Sequence, residues 1–270
     1  MCRWLAYYGH LIHLDEVLFK LENSLIRQSL HARWTHSVTN GFGFGVGWYG
    51  DRAEPGLFRD VLPAWNDDNL PSLSGQICSP LFFAHVRAST GTATARANFH
   101  PFRAGRWLFM HNGHVGDYER ARRPLDALIP DALYGGRSGT TDSEAIFLLL
   151  LANGLDENPG AAFAATVAQV EGVMAASGCT APLRLTAAAT DGRRIHALRY
   201  ATGGEAPSLF YGSAGAGAGG ATMVLSESLG SAENRWIAVP DYHLLEAGPE
   251  GIRIAPFAPA RVSAPARTAA

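Results

Sequence analysis

Cys2 is the first residue whose type could carry a reaction. A methionine ahead of a small residue is ordinarily trimmed in the cell, and loss of Met1 would leave Cys2 as residue one. A thiol and a free α-amine would then share one residue. The α-amine has a pKa of about 7.7–8.0, so roughly a tenth or more of it is neutral near pH 7 and can take the thiol's proton. A thiol activated in this way attacks an acyl carbon and forms a thioester. Attack on an amide puts negative charge on the carbonyl oxygen, which neutral N–H donors can stabilise. Asn112-Gly113 offers a side-chain amide beside an unhindered backbone N–H, although the same dipeptide is a strong β-turn signal. Both readings stand at this point.

Other polar residues also have two readings. Arg87 ends an apolar run, PLFFAHVRA, and its planar fork matches a carboxylate; a surface salt bridge is the alternative. Asp142 falls in the first turn of a predicted helix, where the helix dipole alone favours an acid. His100 precedes Pro101 and is read as ordering a loop rather than as catalytic. His111 with His114, or His10 with His13, could pair on a metal. Neither has an HExxH pattern or acidic or thiol ligands at suitable spacing, so no metal and no cofactor are expected.

These residues need elements to hold them. Residues 3–9 read as a buried strand, and Leu14, Val17, Leu18, Leu21 and Leu25 recur at helical spacing, predicting a helix over 14–29. Glycine alternates with Phe42, Phe44, Val46 and Trp48 over 41–50, which predicts a strand whose backbone is closely approached. Further strands are expected at 57–62, 80–88 and 106–113, with a helical turn near 69–77. Thr141-Asp142-Ser143-Glu144 before an apolar run is a capping box, predicting a helix over 142–153 in which the Glu144 carboxylate reaches back. A second helix is predicted over 159–177, and Arg120, Arg122 and Arg123 read as a solvated helix face. Residues 182–256 read as strands. GSAGAGAGG (212–220) has no lysine and no helical pattern after it, so it reads as a loop rather than a phosphate cradle. Mixed strands and helices, then a helix pair, then strands, suit an α+β fold. Residues 1–257 are read as one domain, and 258–270 as a disordered Ala/Pro/Arg-rich tail.

Bulk properties exclude several classes. Of 270 residues, 17% are charged and the net charge is −2, so no basic surface for nucleic acid is expected. Lys20 is the only lysine, which restricts Schiff-base and phosphate-loop chemistry. Three cysteines without framework spacing read as thiols in a reducing compartment. No apolar stretch reaches the roughly 18–20 residues of a membrane span, and no signal peptide is read, so the cytoplasm is the expected location.

Five segments in order carry a resemblance: MCRWLAYYG at the start, HVRASTG (85–91), NFHPF (98–102), FMHNG (109–113) and TTDSE (140–144). Together they resemble the class II glutamine amidotransferases, enzymes with an N-terminal nucleophile and a four-layer αββα sandwich. VLSES (224–228), Trp236, Val239-Pro240 and HLLEAG extend the likeness towards the stand-alone members, including the γ-glutamyl hydrolase of ergothioneine biosynthesis. The resemblance implies that Cys2 cleaves the amide of glutamine or a γ-glutamyl compound. Asn112 and Gly113 would form the oxyanion hole, Arg87 with help from Thr90 would hold the substrate carboxylate, and Asp142 would take its α-ammonium. Alternatives are a glutaminase subunit feeding ammonia to a separate synthase chain, and a non-catalytic protein binding a glutamine-like ligand. Phe42 stands where many stand-alone members have an aspartate, and Ala88 where several have an aromatic residue. Both bear on the shape of the pocket and its substrate preference.

Overall fold

Alternation along the first strand sets the layers. In β1 (Arg3–His13), Trp4 and Ala6 point to one side and Leu5 and Tyr7 to the other, and all four are buried. A strand buried on both faces needs cover on both. The computed structural model, which describes residues 2–21, 23–30, 41–88, 94–213, 221–228 and 236–260, supplies it.

β1 lies inside a seven-stranded sheet. Its order is β11 (Trp236–Ala238), β9 (Phe210–Ser213), β10 (Thr222–Leu225), β1, β4 (Cys78–Val86), β2 (Phe44–Trp48) and β3 (Gly56–Asp60). A six-stranded sheet packs against it, in the order β13 (Gly251–Pro256), β12 (His243–Gly248), β8 (Ile195–Ala201), β7 (Arg184–Thr190), β6 (Trp107–His114) and β5 (Phe102–Ala104). Between the sheets, Trp4, Ala6 and Phe83 meet Leu108, Met110, Ala188, Ala197 and Leu245. Leu5, Tyr7 and Phe82 pack instead against the short helices α1 (Asp15–Leu18), α2 (Leu25–Leu30) and α3 (Asn69–Ser74). The far side of the second sheet is covered by α4 (Tyr118–Asp126), α6 (Asp142–Ala152) and α7 (Pro159–Ala176), with α5 (Asp131–Tyr134) between the first two. Phe109 of β6 stacks on Phe147 of α6, ring centroids 5.3 Å apart. The architecture is the expected αββα sandwich.

Glycine sets how closely the layers approach. A Cβ on Gly45 of β2 would lie 2.2 Å from the carbonyl oxygen of His100, so the loop carrying His100 can touch this strand only where the side chain is missing.

Some elements differ from those read in the sequence. The helix expected over 14–29 is broken. Both Phe19 and Lys20 N–H groups donate to the Asp15 carbonyl, closing α1, and Ser24 begins a new turn by accepting from Gln28 through its carbonyl. Asn23 donates instead to the carbonyl of Ser228, 2.9 Å away. Asn and Ser compete with helical hydrogen bonding and favour such breaks. β1 runs past residue 9 to His13, with a register shift between Tyr8 and Ile12. Asn112-Gly113 is no hairpin turn: both lie within β6, opposite Thr186 and Leu185 of β7. The Thr141 hydroxyl does accept from Glu144 N–H at 3.2 Å, but the Glu144 carboxylate reaches past Thr141 to Ser138 and Gly139. β5 and α5, three and four residues long, were not read from the sequence. Residues 214–220 and 261–270, covering most of the glycine-rich loop and tail, lie outside the described residues.

Candidate active site

The same alternation that builds the core brings the reactive residues together. Just ahead of β1, Cys2 continues the Trp4–Ala6 row that faces the second sheet, and on β6, Asn112 continues the Leu108–Met110 row that faces the first. Both rows end in a cavity of about 700 Å³. Cys2, Arg87, Asn112, Gly113 and Asp142 all line it, together with His100 and His111. Thr90 lies outside the described residues.

Cys2 is 8% exposed. Burial pushes its thiol up from the ordinary value, more than the backbone N–H of Ala88 and the charges of Arg87 and Arg3 pull it down. A buried thiol in this position must hand its proton to a base before it can attack.

Arg87 lies one residue beyond Val86, which is opposite Arg3, and so sits beside Cys2. Its backbone is fixed by the glycine-rich strand: Arg87 N–H donates to Gly43 at 2.9 Å, and its carbonyl accepts from Phe42 at 3.2 Å. The guanidinium lies over the Phe99 ring, 5.1 Å from the centroid. Burial lowers its basicity, while the adjacent Cys2 works in the other direction. This is a fixed cation, largely withdrawn from water, at the edge of the cavity. Phe42 itself is largely exposed and Ala88 is buried.

Gly113 holds a conformation that other residues rarely adopt. Its φ is +143°, and an added Cβ would fall 1.9 Å from the carbonyl oxygen of Arg184. The missing side chain lets β6 and β7 stay paired to the end of the strand, with Gly113 at the cavity wall.

Asp142 is gripped from two elements. One carboxylate oxygen accepts from Val115 N–H at 2.8 Å, and the other from Ser143 N–H at 2.7 Å. The loop before it is locked by Arg137, whose guanidinium reaches Asp126 (3.1 Å), Glu144 (2.8 Å), the Thr141 carbonyl (2.8 Å) and the Tyr118 hydroxyl (2.9 Å). Asn98 closes the other side, accepting from Thr140 N–H at 2.7 Å. Arg137, Asn98 and Ser143 were not singled out in the sequence. Their partners are scattered along the chain; the segments NFHPF and TTDSE and the capping box pointed to this region, but not to these bonds.

Three buried histidines form the wall behind these groups. His85 and His100 lie against each other with centroids 4.3 Å apart and planes tilted by 35°, and His100 meets Phe102 edge-on. His111 lies between Ser143 Oγ (2.9 Å from Nδ1) and the Arg184 carbonyl (3.3 Å from Nε2). Burial lowers all three, His85 to about 3, with His100 also driven well down. Asp142 partly opposes the effect at His111. Burial thus favours the neutral form of each ring. Among the described residues, no three His, Cys, Asp or Glu side chains come together as a metal site.

Comparison with known proteins gives a consistent picture. The family model for class II glutamine amidotransferases matches residues 18–198, a span that starts after Cys2. The probable glutamine amidotransferase DUG3 of Saccharomyces cerevisiae is 39% identical over 160 residues, 56% of this chain but only 45% of the yeast protein. The gamma-glutamyl-hercynylcysteine sulfoxide hydrolase of Mycolicibacterium smegmatis is 28% identical over 95% of this chain and all of its own length. Among solved structures, a glutamine aminotransferase class-II domain protein from Silicibacter pomeroyi superposes with a TM-score of 0.75 at 37% identity, covering 95% of this chain and 100% of that one.

Proposed function

The chain belongs to the class II glutamine amidotransferases, and on that premise we propose that it hydrolyses glutamine or a γ-glutamyl amide, with Cys2 as nucleophile once Met1 is removed. The observation that carries this reading is the convergence of Cys2, Arg87, Asn112-Gly113 and Asp142 on one cavity.

Arg87 takes the substrate's α-carboxylate and Asp142 its α-ammonium, which leaves the γ-carbonyl facing Cys2. Thr90 is assigned to the carboxylate as well, and His100 to ordering the loop. The α-amine of Cys2 removes the thiol proton, and the thiolate attacks the γ-carbonyl carbon. The Asn112 side-chain amide and the Gly113 N–H hold the oxyanion, each worth about 3–4 kcal/mol in such intermediates. Collapse passes the proton to the leaving nitrogen and frees ammonia or an amine. Water then cleaves the thioester and releases the γ-glutamyl acid, with the amine again carrying the proton.

Cavity size favours a stand-alone hydrolase over an ammonia supplier. Small-molecule sites of roughly 300–1,000 Å³ hold ligands much larger than one amino acid, and this one extends past the amino-acid clamp to His114, Tyr118, Glu119 and Arg184. Those residues would receive the leaving amine. A separate synthase chain belongs to the second reading. Residues 1–257 would act as one catalytic unit, and the free thiols of Cys2, Cys78 and Cys179 support a reducing compartment such as the cytoplasm. Among the described residues, no helix is long and apolar enough to cross a membrane.

The test is glutamate release from glutamine and from γ-glutamyl peptides, with the N-terminus verified by mass. Cys2→Ala should abolish release. Unchanged release in that variant would overturn the reading, and failure of every γ-glutamyl compound would favour a binding role.

A further inference from the structure

One buried ion pair next to Cys2 has no role in the chemistry described so far. Arg3 and Glu227 are 3% and 5% exposed and meet through Arg3 Nε and Glu227 Oε2. Arg3 Nη1 also donates to the carbonyl of Cys2 at 3.0 Å. The other carboxylate oxygen, Glu227 Oε1, is buried and has no hydrogen-bond partner. A charged oxygen left in that state is costly, and each such case calls for an explanation.

Strand geometry shows which edge the nitrogen of Cys2 faces. Along a strand, the N–H and C=O of one residue point to the same edge, and those of its immediate neighbours to the opposite edge. Trp4 turns both groups towards the segment after β10: its N–H donates to Ser226 Oγ (2.9 Å), and its carbonyl accepts from Ser226 N–H (3.0 Å). Two residues earlier, the nitrogen and carbonyl of Cys2 face that same edge, and Glu227 follows Ser226 along it. The segment is held from behind, since the Ser228 carbonyl accepts from Asn23 (2.9 Å) and Gln28 (3.3 Å). With Met1 attached, the nitrogen of Cys2 is an amide. Its removal creates an amine with additional N–H groups.

We propose that Arg3 and Glu227 form a seat for the α-amino group of Cys2: Arg3 fixes the carbonyl, and Glu227 Oε1 accepts an N–H of the amine. This rests on the reading of Cys2 as an N-terminal nucleophile. Glu227 is a positioning residue. By anchoring one N–H it turns the nitrogen lone pair towards the thiol, and Arg3 offsets the carboxylate charge so that the amine can still become neutral. The other charged or titratable groups on the cavity that Cys2 lines are Arg87 beyond β4, His100, His111 and Asp142, and, further along it, His114, Tyr118, Glu119 and Arg184.

The test uses the full chain with Met1 removed and, separately, retained. In the processed protein, Glu227→Gln should lower kcat for glutamate release about 10–100-fold with little change in KM. Loss of the carboxylate disfavours the ammonium form, so the acid limb of Cys2 alkylation by iodoacetamide should move about half a unit or more to lower pH. The processed wild type should melt above the Met1-retaining form, and this gap should narrow in Glu227→Gln, which keeps a neutral acceptor. In the paired substitution Arg3→Leu with Glu227→Leu, which removes the charges together and leaves no acceptor, the gap should vanish, and the alkylation profile is read there where Glu227→Gln fails to fold. An alkylation profile superposing on the wild type, or a melting gap of wild-type size in the paired substitution, would overturn the seat. Failure of the underlying reading looks different: Cys2→Ala would then release glutamate normally.

Discussion

Asn112 and Gly113 are adjacent, share one proposed role and should fail in different ways when changed. Asn112 lies in a regular stretch of β6, and its side chain can be shortened without moving the backbone. Asn112→Ala should therefore reduce kcat about 100- to 1,000-fold and leave KM nearly unchanged, as expected when one oxyanion donor is removed. Steady-state kinetics of glutamate release will show this, and a main effect on KM would place Asn112 in substrate binding instead. Gly113→Ala puts a methyl group into the Arg184 carbonyl and strains a φ of +143°. The expected loss is about 2 kcal/mol or more of stability, measurable as a lower urea midpoint. Residues of this kind were the most legible in the sequence, because Cys2, Asn112-Gly113 and Asp142 sit in contiguous motifs. The hairpin alternative for Asn112-Gly113 could be settled only by β7, which pairs with it from more than 70 residues away.

At the scale of elements, the site depends on how α6 is started. Its N-terminal loop is pinned by the Arg137–Glu144 pair, with side chains 5% and 4% exposed. Glu144→Gln leaves Arg137 with Asp126 as its remaining acidic partner, and should destabilise the protein by about 1–3 kcal/mol. Because the same loop presents Asp142, substrate KM should rise at temperatures where the variant remains folded. A variant with wild-type unfolding midpoint and KM would show that the loop is held by its other bonds. The capping box located the start of α6 but not this network, because a single arginine collects partners from Tyr118 to Glu144 and no local pattern records it. The break between α1 and α2 was missed for a similar reason. Leucine spacing carried straight across it, while the group that draws Asn23 away, the Ser228 carbonyl, is some 205 positions further along.

For the molecule as a whole, pH should act through the buried histidines. His85, His100 and His111 are neutral when folded, with pKa values below those of the unfolded chain. Their contribution to stability is complete above the unfolded value near 6.5 and is lost as pH falls towards the folded values. His85, at about 3 in the folded state, should by itself cost about 2 kcal/mol between pH 7 and pH 5. Urea denaturation at the two pH values measures this, and His85→Phe should flatten the difference. Equal stability at both would show that these rings are hydrated. The four-layer architecture was legible from the order of strands and helices together with the family resemblance. The histidine wall was not, because His85 and His100 come from different segments and meet only through packing.

The position of β1 in its sheet also has a consequence in time. β1 is made well before one of the two strands that flank it, since β10 begins at Thr222. At translation speeds of about 5–20 residues per second, that edge stays unpaired for roughly 10–40 s. Throughout this interval Cys2 lacks the cover that β10 later gives it. Once β10 docks, Cys2 is 8% exposed at the cavity wall. On the reading that Cys2 becomes residue one, removal of Met1 would therefore have to precede the docking of β10.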